Sequence, residues 1–183
     1  RESQIKLDWY GNPNRQWLQF QEVELEQDGI FFKGYCSQDA LIYYLRQAPF
    51  VIVPTASSEN EQERPEFACL SLPSRIPFIT AVANTPIIIV GREDSAAAQF
   101  VKEFDLGTVC DYKAQSLLAE IEKLQIESNQ LRFRYSSQKL AKSLKADHFD
   151  DWLWRSLEQG KPIDNRFEQF EKNSLKCSVI VTA

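Results

Sequence analysis

Hydrophobic and polar positions change period several times along the chain, and each change marks an element. Residues 5–10 alternate apolar and polar, then meet Gly11-Asn12-Pro13-Asn14, which predicts a strand followed by a loop. Residues 17–25 lack a clean period and read as a short helix running into Gln27-Asp28-Gly29, and residues 30–35 are again strand-like and rich in aromatics. Ser37 stands as N-cap to a helix over 38–47, with Leu41, Tyr44 and Leu45 on one face. Residues 49–55 form an apolar run between prolines, the pattern of a strand buried on both faces. A polar loop follows over 56–67, and Ser74 then caps a helix expected to reach Asn84, with Arg75 in its first turn.

The second half repeats the alternation. Ile87 to Val90 is a wholly apolar strand ending at Gly91, Asp94-Ser95 caps a helix over 96–103, and Gly107 leads into a strand over 108–112. A helix over 116–125 places Leu117, Leu118, Ile121 and Leu124 together; a basic helical segment runs from 129 to 145. A last helix over 149–159 carries Trp152 and Trp154, expected to anchor it to the core or to another domain. Strands alternating with helices across short connections predict an α/β fold, a Rossmann-like parallel sheet with helices on both faces, over residues 1–125. Residues 126–183 are expected to be a helical tail. Ligands of such sheets sit beyond the carboxyl ends of the strands, here Gly11, Gly34-Tyr35, Pro54-Thr55 and Gly91.

Composition narrows the classes. At 183 residues and 43% hydrophobic content the chain builds a core without staples. Its net charge of −5, with both signs interspersed, argues against a nucleic-acid partner. Cys36, Cys69, Cys110 and Cys177 lie far apart and read as reduced thiols of a cytoplasmic protein. The longest apolar run, residues 86–90, is too short for a bilayer, and no secretory signal is evident. A start at Arg1 with no methionine points to a piece of a longer chain.

The chemistry-bearing residues gather at the helix that begins at Ser74. Free first-turn amides and the helix dipole favour an anion, and Arg75 adds a fork suited to phosphate oxygens; a plain N-cap and a surface arginine are the alternatives. Lys33, beside the Gly34 turn, is either a phosphate contact or a solvated strand lysine. His148 lies with Asp147, Asp150 and Asp151, where a capping cluster is the reading preferred over a metal site, so no metal is expected.

The succession Phe32-Lys33-Gly34-Tyr35, Leu45 to Thr55, Leu72-Pro73-Ser74-Arg75 and Asn84-Thr85-Pro86-Ile87-Ile88 resembles the C-terminal domain of GT-B glycosyltransferases, of the glycosyl transferases group 1 type. The resemblance covers Ile5 to Leu124. It implies one half of a GT-B fold that binds a nucleoside-diphosphate sugar, without a further cofactor, for transfer to a sugar or lipid-linked acceptor. The acceptor would be held mainly by an N-terminal domain outside this chain, whose absence would leave this part inactive alone; peripheral membrane association would belong to the full-length protein.

By similarity, Gly34, Tyr35 and Cys36 meet the nucleobase. Thr55 ends the strand before the donor loop, and Ser74 with Arg75 takes the place of the family's Pro-Ser-Lys helix start. Arg75 would also stabilise the leaving diphosphate as its charge builds. Gly91 through Ser95 resembles the last donor-side turn. Two departures stand out. Counting back from Pro86 to the family's ribose-binding glutamate gives Ile79, and its partner position falls on Ser71; neither ionises. The family's opening strand and glycine-rich loop would precede Ile5. A non-catalytic nucleotide-sugar-binding or scaffolding module, and an unrelated doubly wound domain for a phosphorylated ligand or protein partner, are the competing expectations.

Overall fold

A computed structural model describes residues 5–11, 22–55, 71–144 and 148–166. The chain divides into two compact units, Arg1–Tyr44 and Leu45–Ala183. Parallel strands appear in both, but in two small sheets rather than the single sheet expected.

In the first unit, β1 (Leu7–Tyr10) and β2 (Ile30–Gly34) pair in parallel, with the short helix α1 (Glu22–Gln27) between them in sequence. A parallel pair cannot be closed by a hairpin, so the intervening chain must cross over. Register sets Trp9 beside Phe32, their rings meeting edge to face at 5.6 Å. Gly34 closes β2 at φ +66°, a left-handed conformation that glycine adopts without steric cost. The helix α2 (Gln38–Gln47) follows, with Ser37 Oγ accepting from the Ala40 amide at 3.3 Å, as its N-cap position predicts.

The second unit is built on a parallel sheet in the order β3 (Val51–Pro54), β4 (Ile87–Val90), β5 (Gly107–Cys110). Its first two crossovers carry α3 (Arg75–Val82) and α4 (Ala96–Glu103). Both step the same way across the sheet, and right-handed connections then place both helices on one face. Packing agrees: Ile76 and Ile79 of α3 and Ala97, Phe100 and Val101 of α4 share a core with Ile87 and Ile89. The opposite face carries Ile88, Val90 and Cys110 against Ile121 and Leu124 of α5 (Ala114–Gln125). The long helix α6 (Glu127–Leu144) serves both cores, sending Leu140 into the first and Phe133 into the second. Residues 127–144 are therefore integral to the second unit's packing.

Every residue of β4 is buried, as expected of a central strand covered on both faces. β3 pairs only with β4 among the described residues, and this edge position leaves Val51 and Ile52 half-buried although Val53 is fully covered. Gly107 is required by close approach: a Cβ there would lie 1.8 Å from the Ile87 carbonyl oxygen. The helix α3 stops at Val82, short of Asn84, which sits at φ +56°. Arg46 Nε donates to the Val82 carbonyl at 2.8 Å, and Thr85 Oγ1 to the Leu45 carbonyl at 2.5 Å. These bonds satisfy carbonyls at the ends of two helices, which otherwise lack intrahelical partners. Arg134 and Gln130 of α6 continue the same stitching, donating to the Ala48 and Pro49 carbonyls at 2.8 Å each.

The last helix, α7 (Phe149–Gln159), has the predicted bounds. None of its residues is buried, and Trp154 is 65% exposed. Trp152 stacks on Phe149 and donates its indole N–H to Asp164 at 3.0 Å. Leu118, placed on the apolar stripe of α5, is 47% exposed, because the core receives only Ile121 and Leu124 fully and Leu117 in part.

Candidate functional site

The three strands of the second unit end together, and their ends are cross-bonded. The Thr55 amide donates to the Val90 carbonyl at 2.9 Å, and its hydroxyl donates to the same oxygen at 3.3 Å. The Gly91 amide donates to the Cys110 carbonyl at 2.8 Å. From the residue after β5's exit turn, the Tyr112 hydroxyl reaches back to the Thr55 carbonyl. Thr55, Gly91 and Tyr112 thus meet at the carboxyl edge, where doubly wound sheets take their ligands.

Both crossover helices run back toward the start of the next strand, so their first turns lie on this same carboxyl side. Their caps differ. Ser95 is extended (φ −68°, ψ 149°), and its Oγ accepts from the Ala98 amide at 3.2 Å. Ser74 already has helical dihedrals (φ −57°, ψ −23°) and makes no side-chain cap bond, which corrects the expected capping role. A capping side chain needs the extended backbone of a true N-cap to reach forward to the N–H groups.

The start of α3 is also poorer in free amides than its position implies. The Ile76 amide is taken by the Pro73 carbonyl at 2.9 Å, Pro77 has no N–H, and the Phe78 amide bonds the Ser74 carbonyl at 3.2 Å. What this turn offers an anion is chiefly the Arg75 side chain. Arg75 is exposed and makes no ion pair among the described residues.

Other cations near the edge are engaged by carboxylates. Arg92 forks onto Asp94 at 2.8 and 2.5 Å, and this hydrogen bond holds the Asp94 carboxyl below its usual range. Lys113 meets Asp111 at 2.6 Å; hydrogen bonds from Lys113 and then Ser116 lower the Asp111 pKa. Farther along α4, in its last turn, Lys102 pairs with Glu93 at 3.2 Å. Burial pushes the Cys110 thiol up, with Glu120 and Asp111 adding to the shift, as suits a small apolar residue rather than a nucleophile.

The residues expected at a nucleobase belong to the first unit. Gly34 makes the left-handed turn after β2, Tyr35 is 75% exposed and Cys36 is half-buried. Tyr10 stacks on Tyr44 at 5.5 Å, and its hydroxyl pKa is raised by burial and then by Asp8, Tyr44 and Cys36. Lys33 is occupied as a strand lysine, 3.5 Å from Asp8 and lying over the Phe31 ring.

Ile79 is 4% exposed and faces the sheet, so this position belongs to the core and not to a ligand; Ser71 is exposed. His148 is exposed at φ +55°, and Asp147 lies outside the described residues. No group of three or more His, Cys, Asp or Glu is placed to hold a metal among the described residues, and none of their helices is long and apolar enough to cross a membrane. The polar segment 56–67 also lies outside the described residues. Two features escaped the sequence reading. Pro77 was visible as a missing donor, whereas Tyr112 carried only the weak signal of an aromatic residue just past a strand. No protein-family model, curated protein or solved structure matches the chain.

Proposed function

We propose that this chain is the donor-binding part of a GT-B glycosyltransferase with a Rossmann-like arrangement, taking the diphosphate of a nucleotide sugar at the carboxyl edge of the β3-β4-β5 sheet. The observation that carries the reading is Arg75. It is an exposed guanidinium at the start of a crossover helix, on the carboxyl side of a parallel sheet where the cations Arg92 and Lys113 that follow β4 and β5 are engaged by carboxylates. An arginine fork matches two phosphate oxygens, and the charge it meets grows as the diphosphate leaves.

Calorimetric titration of the 183-residue chain with UDP and GDP tests the reading. Saturable binding is expected to at least one of them. Arg75→Ala should weaken it by about 1.5–3 kcal/mol, the range for a lost charge-assisted hydrogen bond, or about ten- to 150-fold in Kd. No saturable binding to either nucleotide overturns the reading. Unchanged affinity in the variant removes Arg75 from the site.

A second reading, a nucleotide-sugar-binding module without turnover, is favoured by one observation. The position aligned with the family's ribose-binding glutamate is the core residue Ile79. Sugar transfer or donor hydrolysis by the full-length protein separates the two.

A further inference from the structure

A short helix is marginal in water by itself and owes its stability to packing its apolar face on another surface. The helix α7, 11 residues long, has such a face, and none of its residues is buried. Phe149, Leu153 and Leu157 recur every four residues as one row, and Trp154 stands in the adjoining row between Asp150 and Glu158. The four apolar side chains are between 37% and 65% exposed. Asp151 pairs with Arg155 at 3.7 Å, whereas Asp150 and Glu158 make no ion pair among the described residues. A face of opposite sign stands on α6. Its inner side buries Phe133, Ser137, Leu140 and Ala141, while Leu131 and Tyr135 on the outer side are 63% and 70% exposed. That outer row continues into Lys139, with Lys142 beside it; both lysines are exposed and make no ion pair among the described residues. In a chain of net charge −5, α6 carries four cations and the single carboxylate of Glu127.

We infer that α6 and α7 are the two halves of a self-association surface, α7 of one copy lying on the outer face of α6 in a second copy, and the reverse. Charge complementarity carries this choice of partner: an acidic apolar row on α7 fits a basic apolar row on α6, with Asp150 and Glu158 facing the Lys139 and Lys142 end and Arg132. Both halves stand on one chain, so a two-fold axis covers both at once and closes the assembly as a dimer. The lengths agree as well. At about 1.5 Å per residue, Phe149 to Leu157 spans about 12 Å and Leu131 to Lys142 about 16 Å. In such a contact the aromatic and leucine side chains become buried, and the charges around them select the partner and its register. None of these residues belongs to the nucleotide site proposed above, so association and nucleotide binding are read separately.

Sedimentation of the 183-residue chain over about 1 to 100 μM tests the inference, with two charge-reversed variants, Lys139→Glu with Lys142→Glu and Asp150→Lys with Glu158→Lys. All four positions are exposed, and cooperative thermal unfolding establishes that each variant is folded. The expected result is a wild-type dimer whose dissociation constant rises at least about tenfold in either variant, because like charges then face one another. An equimolar mixture of the two variants should regain association, since opposite signs meet at both contacts; a misfolded variant does not give this rescue. Leu157→Ala, which changes no charge, should also weaken the dimer. A monomeric wild type overturns the inference, and its sedimentation with phosphatidylserine vesicles would assign the α6 face to an anionic lipid surface instead. A dimer insensitive to both reversals, or a mixture that does not regain association, overturns the pairing of α6 with α7.

Discussion

Replacing Ile79 with glutamate asks whether this position is a ligand site or core. At 4% exposure Ile79 packs among Val53, Ile76, Ile87 and Ile89, and losing such a side chain from the core costs about 1.5–3 kcal/mol. An isolated carboxyl in that place stays protonated. Holding it neutral at pH 7, from an unfolded glutamate value of about 4.3, costs about 3.7 kcal/mol at about 1.36 kcal/mol per pH unit. The sum, about 5–7 kcal/mol, is comparable to the whole stability of a marginal domain. The folded state keeps its proton while the unfolded state releases it above about pH 4.3. The carboxyl's share of the deficit therefore grows by about 1.4 kcal/mol per pH unit up to the raised folded pKa, and disappears below about pH 4.3. Urea unfolding followed by circular dichroism at pH 7 and pH 5 measures this. Relative to wild type at each pH, Ile79→Glu should recover about 2.7 kcal/mol at pH 5, and Ile79→Gln should show no such recovery. A glutamate variant within about 1 kcal/mol of wild type at pH 7, with no dependence on pH, refutes the core assignment and returns position 79 to the list of ribose contacts.

The two serines that precede crossover helices should behave differently. Ser95→Ala removes a side-chain cap and should lower stability by about 1 kcal/mol, whereas Ser74→Ala should stay within about 0.5 kcal/mol, both read from denaturation midpoints. Gly107→Ala should cost at least about 3 kcal/mol, since the new Cβ forces β5 from β4 and endangers bonds such as Ile87 amide to Leu106 carbonyl at 3.1 Å. A melting temperature near wild type would show that the two strands are not so closely apposed.

Local chemistry made much of the fold legible. The all-apolar Ile87–Val90 run, Ser37 before α2, Ser95 before α4 and the bounds of α7 each follow from interactions within a few residues. Long-range packing carried the remainder. Periodicity identifies a helix's apolar residues but not whether anything covers them, and so Leu118, on the apolar stripe of α5, is 47% exposed. Ser74 has the residue type and spacing of a cap, yet its dihedrals turn it helical one position early.

At the candidate site the division is sharper. The sequence by itself determined that a serine and an arginine stand at the start of a helix after an apolar strand, on the carboxyl side of parallel strands. Only the tertiary structure decided that Ile79 turns into the sheet, that Arg92 and Lys113 are matched by carboxylates, and that Tyr112 reaches Thr55 across the strand between them. Those outcomes depend on which residues distant in sequence become neighbours, and strand order and register set that, not the spacing of residues along the chain.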